Sequence, residues 1–574
     1  MNDPLDQVAA VAVVVIGYDD AAHVTDAVRS ALAQGPAVRE VVAVDDCSTD
    51  GSAGLLARLA ATEPRLTVVR RRVNSGGCGS PRNTGLDAVS APYVMFLDSD
   101  DVLPPGAVDA LLGAAERERA QVASGLCVRR ELPSGRETPW EERLYAEHAV
   151  IAQPALRPRL VHDTLCVNKL YRTGFLREHG IRFPEGRFRY EDVVFTARVL
   201  AAGPRIALVP DRVYVWHVRR SAERLSISLD RAGVDNWRAR THACRLAYDT
   251  LLAAGQKQLA RAARAKFLDH DLRMYARELG LRDAPYRRSW WELTRAHLAE
   301  YDAADWARNP VAPGRLIGRV VLASPEPRDL PRLRDLAARP ARLLPPYART
   351  ADGTPVWSDD LPRITLDALL TRPVRLLPLA VDAELRHRAG GARLRLRLHE
   401  LYGRLAEAGP RAVDVEWRRR EDGRAGPRRT TALVRTDGTD DTDGMADVGR
   451  TDDTGRTDGT GRTDGTGRTD GADGCEGTWS AETTVDLAEL AAAGSGTWDL
   501  RLHVRFRDGA SREVTAHARA GAGLLRRRAV PSARHGVVLV QPYATHSGSL
   551  ALRVASGVRG VLSVARGRLR RLLH

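Results

Sequence analysis

Apolar residues follow two different periods along this chain, and the change from one to the other divides it. From Val11 to about residue 230, short unbroken apolar runs alternate with stretches in which apolar residues recur every three or four positions. Val11–Ile16 (VAVVVI), Glu40–Val44, Leu66–Arg71, Tyr93–Leu97 and Val122–Gly125 predict strands, each short and bounded by charged or turn residues. Val24, Ala27, Val28, Ala31 and Leu32 share one helical face, and Leu55, Leu56 and Leu59 share another. Thr49 or Asp50 stands where it can cap the second of these helices. Strand and helix in alternation predict a mainly parallel α/β sheet with helices on both faces.

Beyond residue 230 the texture changes. Asn236 to about Arg342 is rich in Ala, Leu and Arg at helical spacing, for example Leu259, Ala262 and Ala263, then Phe267 and, further on, Leu272. A helical linker domain is expected, ending near Leu343-Leu344-Pro345-Pro346. From about residue 363 the period falls to two. Ala392–Leu398 (ARLRLRL) alternates strictly, and Val413–Trp417 and Trp498–Phe506 nearly so, which predicts a half-exposed antiparallel sheet in a β-sandwich. Thr436–Gly474 repeats GRTDGT with almost no apolar residues and is expected to be a disordered insertion. Val537–Val554 suggests a further hairpin. Val558–His574 reads either as a basic amphipathic helix resting on an anionic membrane or as a tail that packs on its own domain or frays. The expected division is 1–232, 233–346, 363–527 with its insertion at 436–474, and 528–574.

In open parallel sheets ligands bind outside the carboxyl ends of the strands. Four polar clusters fall at those ends: Tyr18-Asp19, Asp45-Asp46, Asn74 to Asn83, and Asp98 to Asp101. Asp98 and Asp100 lie two apart at the end of an extended run, so they point to the same side. Such a pair supplies hard oxygen ligands for Mg²⁺ or Mn²⁺. Taken alone, the same cluster reads rather as an ordinary acidic turn capping the helix that Pro104 and Pro105 begin. Tyr190-Glu191-Asp192 precedes a helical stripe of Val193, Val194, Ala197 and Leu200, where the carboxylates suit a helix N-terminus, a catalytic base, or both.

The chain has 574 residues and a formal net charge of +14. The cation is almost all arginine, with lysine only at 169, 257 and 266. Such a balance favours an anionic partner. A nucleic-acid-binding protein is disfavoured, because no such motif is present and aromatics make up 5% of residues. The 6 cysteines include no CxxC pair, so neither a zinc site nor a disulfide scaffold is indicated. An acidic N-terminus and the absence of a long apolar run lead to the expectation of a cytoplasmic protein without a transmembrane segment.

VVVIGYDD, VAVDDCSTDGS, NSGGCGSPRNTGL and YVMFLDSDD, in this order and spacing, resemble the inverting glycosyltransferases of family 2. The likeness continues to about residue 230 through NKLYRTGFLREHGIRFPEGRFRYEDVVF and YVWHVRRSAERLSIS. Two departures stand out: Gly17 where the family usually has Pro, and Cys47 where it usually has Gly. The resemblance implies a GT-A fold and a nucleotide-sugar donor. It puts Tyr18 and Asp45 on the uracil and ribose, and Asn74 and Arg82 on the nucleotide. It makes Asp98 and Asp100 the metal motif, with Asp100 the direct ligand of Mn²⁺ or Mg²⁺, and Asp192 the general base. Arg219 would assist departure of the nucleoside diphosphate, within a mobile segment from Trp216 to Arg219 and on to Ser226-Ile227-Ser228. His217 is a candidate third metal ligand or a packing residue; Lys169 is structural or on the acceptor side.

The whole plan resembles the wall teichoic acid glycosyltransferases of Gram-positive bacteria. That likeness implies transfer of N-acetylglucosamine from a UDP-sugar to an anionic polyol-phosphate polymer, a homotrimer through the C-terminal modules, and a cytoplasmic enzyme in peripheral contact with the inner face of the membrane. The alternatives are the same chemistry on a capsular or lipid-linked saccharide, or a non-catalytic polyanion-binding protein.

Overall fold

The computed structural model describes residues 10–132, 134–219, 231–308, 312–388, 391–437, 477–519, 528–532, 536–545 and 547–556. They divide near residue 330 into two compact units.

The first unit begins with β1 (Val11–Gly17), α1 (Val24–Leu32), β2 (Val38–Asp45), α2 (Ser52–Ala60), β3 (Leu66–Arg70), α3 (Gly79–Ala88) and β4 (Tyr93–Asp98). β1, β4 and the Val41 to Val44 part of β2 are unbroken apolar runs because both of their faces are covered; Val11 to Val14 of β1 and Val94 to Leu97 of β4 have no exposed surface. α1 buries Val24, Ala27, Val28 and Ala31, the expected stripe. α2 differs from expectation at its start. Gly51, with φ 94, occupies the cap, and Asp50 instead accepts from the Ser52 N–H at 3.0 Å and the Ala21 N–H at 2.8 Å. Asp50 thus ties the loop after β2 to the loop after β1.

The chain continues through α4 (Ala107–Arg117), β5 (Val122–Leu132), β6 (Arg136–Pro139), β7 (Ala149–Ile151), β8 (Lys169–Arg172), α5 (Thr173–Glu178), α6 (Glu191–Ala201) and β9 (Ile206–Arg219). The sheet has nine strands in the order β3-β2-β1-β4-β8-β5-β9-β7, with β6 on the edge of β5. β5 runs to Leu132, well past the expected Gly125, and pairs in parallel with β9 through its charged end, where Arg129 faces Trp216 and Leu132 faces Arg219. β1, β2 and β4 finish flush: Gly17 is opposite Asp45, and Ile16 is opposite Asp98. The polar clusters after these strands therefore share one rim.

α7 (Val234–Ala253) and α8 (Lys257–Lys266) follow, then a π-helical turn, Phe267–Leu272, and further helices up to Ala312–Ala323. These helices belong to the same compact unit as the sheet. α7 packs on α6, with Ala243 and Leu251 buried in the core they share with the sheet. No helix of the described residues is long and apolar enough to cross a membrane.

The second unit is rich in strand. Strands Val381–Arg388, Gly391–His399, Val434–Asp437, Gly477–Val485 and Ala516–Ala518 form one sheet. Strands Pro410–Arg419, Ala425–Ala432, Gly496–Phe506, Ser511–Val514, Arg528–Ser532, Gly536–Ala544 and Leu550–Ser556 form another. Each sheet buries alternate residues, Leu394, Leu396 and Leu398 in one and Val413, Val415, Trp417, Leu500 and Leu502 in the other. The Gly536–Ala544 and Leu550–Ser556 hairpin joins the second sheet directly, with Val554 opposite Gly496. The GRTDGT repeat between 438 and 476, and the tail after 556, lie outside the described residues.

Candidate active site

The rim outside β1, β2 and β4 gathers the candidate residues, and backbone geometry decides how. After β4 the chain turns tightly. The Asp101 N–H donates to the Asp98 carbonyl at 3.1 Å, and the Ser99 N–H reaches back to Ile16 O at 2.9 Å. Gly17 sits against this turn; a Cβ there would come 3.0 Å from Ser99 Cβ, which leaves little room for the usual Pro. Ser99 Oγ in turn donates to Asp20 Oδ2 at 2.7 Å.

Arg82 is the hinge of the site. It projects from the first turn of α3, only 3% exposed. Its Nη2 donates to Asp98 Oδ1 at 2.6 Å and its Nη1 to Glu191 Oε1 at 2.5 Å. Its guanidinium carbon lies 5.3 Å from the Phe183 ring centroid, and Phe183 stacks on Phe195 of α6 at 3.8 Å. Burial works against the Arg82 charge, but the nearby Asp98 and Glu191 carboxylates help outweigh it and hold the pKa well above the ordinary arginine value. One guanidinium thereby joins the end of β4 to the start of α6, where Asp192 is the second residue.

α3 is set in place by close backbone approach. A Cβ on Gly79 would fall 1.9 Å from the Pro184 carbonyl oxygen, so only glycine lets the helix start against the 183–188 loop. Asn83 completes the junction: its Nδ2 donates to Phe183 O at 3.0 Å and its Oδ1 accepts from the Phe183 N–H at 2.9 Å.

Asp100 is pushed up to about 6, chiefly by burial and then by the charges of Asp98 and Asp20, against which Arg219 works. Arg219 Nη1 lies 3.2 Å from Asp100 Oδ2, and its Nη2 donates to the Asp100 carbonyl at 3.1 Å. His217 Nδ1 is 3.0 Å from that same carbonyl, and burial lowers its pKa, which favours the neutral ring. Trp216 to Arg219 form the end of β9; Ser226-Ile227-Ser228 lie outside the described residues. Two groups at this centre have roles the sequence did not disclose, Asp101 of the expected cluster and Tyr214. Asp101 is buried and accepts from Tyr214 Oη and the His217 N–H, both at 2.7 Å. Tyr214 Oη also accepts from the Asp98 N–H at 3.2 Å. In sequence Tyr214 opens the YVWHVRRSAERLSIS stretch, with nothing there to mark its contact with Asp101.

Among the described residues, no three or more His, Cys, Asp or Glu converge as a ready metal cage. Asp98 and Asp100 nevertheless fit a divalent cation. They are hard oxygen donors, and a bound cation would relieve both the burial and the neighbouring negative charge that raise Asp100. Magnesium-like ions commonly take one or two carboxylates and complete their shell from water or phosphate.

On the other side of the rim, Asp45 is 1% exposed. Its Oδ2 accepts from the Ser48 N–H at 3.2 Å and faces Arg70 Nε at 3.5 Å, while its Oδ1 is buried with no hydrogen-bond partner among the described residues. An orphaned buried oxygen of this kind suits a ligand N–H or O–H. Tyr18 is 39% exposed at the end of β1. Asn74 spends both ends of its amide on the loop, donating to Asp46 O at 2.9 Å and accepting from the Gly76 N–H at 2.8 Å.

Glu191 and Asp192 open α6, and burial raises the pKa of both; Arg82 opposes this most strongly at Glu191 and Arg240 at Asp192. The Val193 N–H donates to Asp192 Oδ1 at 2.8 Å. Lys169 is removed from this chemistry. It is buried, with Nζ 2.7 Å from Asp163 Oδ2 and 3.0 Å from Asn168 Oδ1, and is structural.

The sequence profile described as Glycosyl transferase family 2 matches residues 12–180. The succinoglycan biosynthesis protein ExoO of Rhizobium meliloti is 30% identical over 236 residues, spanning 40% of this chain and 67% of that protein. The chain belongs to glycosyltransferase family 2. It is therefore a glycosyltransferase, and the sheet of its first unit is a GT-A fold. The poly(ribitol-phosphate) beta-N-acetylglucosaminyltransferase TarS of Staphylococcus aureus is 30% identical over 216 residues, 37% of this chain and 36% of TarS. The match thus spans about a third of that relative's length. Among solved structures, the crystal structure of S. aureus TarS covers 95% of this chain and 85% of its own, at 17% identity and a TM-score of 0.49.

Proposed function

We propose that this family 2 enzyme is an inverting transferase that moves N-acetylglucosamine from UDP-N-acetylglucosamine to a hydroxyl of an anionic cell-envelope polymer such as wall teichoic acid. The observation that carries this reading is the Arg82 bridge, because it brings the Asp98 end of β4 and the Glu191-Asp192 start of α6 to one place. An inverting transfer needs two things side by side, a site for the leaving diphosphate and a base for the attacking hydroxyl.

Tyr18 and Asp45 hold the nucleoside, with the orphaned Asp45 Oδ1 accepting from the uracil imide or a ribose hydroxyl. Asn74 orders the loop around it. Asp98 and Asp100 hold Mn²⁺ or Mg²⁺, which when bound neutralises diphosphate charge. Arg219 pairs with the departing diphosphate as charge accumulates on it. Asp192 removes the proton of the acceptor hydroxyl as its oxygen bonds to C1 of the sugar. The C1–O bond to the diphosphate breaks on the opposite face, and UDP leaves with the electron pair. No covalent enzyme intermediate forms, and an α-linked donor gives a β product, in keeping with the name of the TarS relative.

In this reading residues 1–232 perform the transfer, 233–346 brace it, and 363–527 and 528–574 hold the polymer. The arginine surplus suits a polyphosphate acceptor. A homotrimer and peripheral contact with the inner face of the membrane complete the proposal; light scattering and vesicle sedimentation test them. The test of the reaction is donor hydrolysis with Mn²⁺ and a panel of UDP-, GDP- and dTDP-sugars. Release of UDP from UDP-N-acetylglucosamine, lost in Asp100→Ala, is expected. Turnover of another sugar would reassign the donor, and neither turnover nor calorimetric binding of any of them would overturn the reading.

A further inference from the structure

The residue before Glu191-Asp192 is held from outside the sheet. Tyr190 has φ 66, in the left-handed region that a bulky side chain occupies only when its surroundings hold it there. Its hydroxyl donates to Asn236 Oδ1 at 2.7 Å and lies 3.3 Å from the Tyr275 hydroxyl. Tyr275 donates to the same Asn236 oxygen, and Asn236 is 1% exposed. One turn along α7, Arg240 sets its guanidinium carbon 4.3 Å from the Tyr190 ring centroid.

Arg240 is itself anchored. Its Nε and Nη2 lie 3.0 and 2.7 Å from Asp271 Oδ1. Asp271 has no exposed surface and belongs to the π-helical turn Phe267–Leu272. Such turns are rare within helices and recur at functional sites. Lys266 Nζ stands 3.7 Å and His270 Nδ1 3.2 Å from the same carboxylate. Arg240 and Lys266 thus both set a cation beside the Asp271 carboxylate, close to the start of α6. Charge held so far from water is costly unless it is paired.

We propose that this cluster is part of the transfer machinery, with Arg240 a positioning residue that fixes Tyr190 and supplies the field stabilising the Asp192 carboxylate. The inference rests on Asp192 being the base. The titratable and charged groups whose fields reach Asp192 are Arg240 of α7, Lys266 of α8, Arg82 of α3, Glu191 of its own helix, Cys166, and Tyr171 of β8. Burial disfavours its charged form, and Arg240 is the strongest of the groups opposing that.

The test is the pH profile of UDP-N-acetylglucosamine hydrolysis by the full chain with Mn²⁺. Arg240→Met should move the acid limb of kcat up by about one pH unit. Arg240→Lys should restore it in part. Asp271→Asn leaves Arg240 uncompensated and should move the limb down. A purely structural role lowers the thermal midpoint of both variants and leaves the limb where it is, which would overturn the proposal. Tyr190→Phe guards against misfolding of the charge variants. It should lower kcat roughly tenfold with the donor KM unchanged, and an unaltered kcat would also count against the proposal. If Asp192→Asn retains wild-type turnover, the base assignment fails; if it abolishes turnover while Arg240→Met leaves the limb in place, only the Arg240 inference fails.

Discussion

Arg82 and Glu191 stand 109 positions apart in the chain and meet at 2.5 Å. Both side chains are largely removed from water, at 4% and 13% exposure. The other arm of the same guanidinium reaches Asp98. Removing it leaves two carboxylates facing one another without a cation. Arg82→Met should cost about 3–5 kcal/mol of stability and at least about a hundredfold in donor turnover. Arg82→Lys should recover little, because an ammonium cannot fork to two carboxylates. Thermal unfolding and UDP release check both statements.

Gly79→Ala tests how α3 is seated. The added methyl meets the Pro184 carbonyl at 1.9 Å, so the 183–188 loop must move and the Asn83–Phe183 hydrogen bonds must stretch. A loss of about 1–3 kcal/mol is expected, together with a raised donor KM as Arg82 shifts. Unfolding midpoints and calorimetric donor binding measure the two effects.

Cys47 explains one departure from the family pattern. It has φ 66, a conformation that costs most residues energy and glycine nothing. Its Sγ reaches the Arg72 carbonyl at 3.6 Å. Cys47→Gly should therefore be at least as stable as the wild type. Cys47→Val, with a branched Cβ, should lose about 1–2 kcal/mol. Paired thermal melts decide this.

His297 should make the first unit sensitive to mild acid. It is 4% exposed against Phe267 and Tyr301, and burial, followed by Arg245 and Arg264, pushes its pKa down to about 3. The folded value lies below the unfolded one, so the proton favours the unfolded chain. The stability that the neutral ring contributes is complete above about pH 6.5 and is lost as pH falls from there toward about 3. Between about pH 7 and pH 5 the loss is about 2 kcal/mol. Unfolding midpoints should fall over that range in the wild type and fall less in His297→Phe.

The half of the sheet built from β1, β2 and β4 was open to reading because its strands are buried and end abruptly in charge. VAVVVI and YVMFL could be little else, and the carboxylates after them fell on the rim as expected. The other half was harder. β9 carries Pro210-Asp211-Arg212 in mid-strand, and β5 ends in Arg129-Arg130-Glu131, so neither shows the apolar run that marks a covered strand. Tyr214 opens the YVWHVRRSAERLSIS stretch, but its hydrogen bonds to Asp101 and the Asp98 N–H were not legible there. The Arg82–Glu191 bridge was invisible for another: no periodicity encodes a contact across 109 residues. In the second unit, alternation disclosed strands such as Gly391–His399 but not their neighbours. The hairpin that ends at Ser556 reads as a separate piece in sequence and in space is part of the Pro410–Arg419 sheet, paired with Gly496–Phe506 on one side and Arg528–Ser532 on the other.

The most direct test of the account is the role of Asp192. Initial rates of sugar transfer from UDP-N-acetylglucosamine to poly(ribitol phosphate), with Mn²⁺, should be compared between wild type and Asp192→Asn, with donor affinity measured by calorimetry on both. The account predicts a kcat lower by on the order of a thousandfold and an unchanged donor affinity. Transfer by Asp192→Asn at the wild-type rate would contradict it.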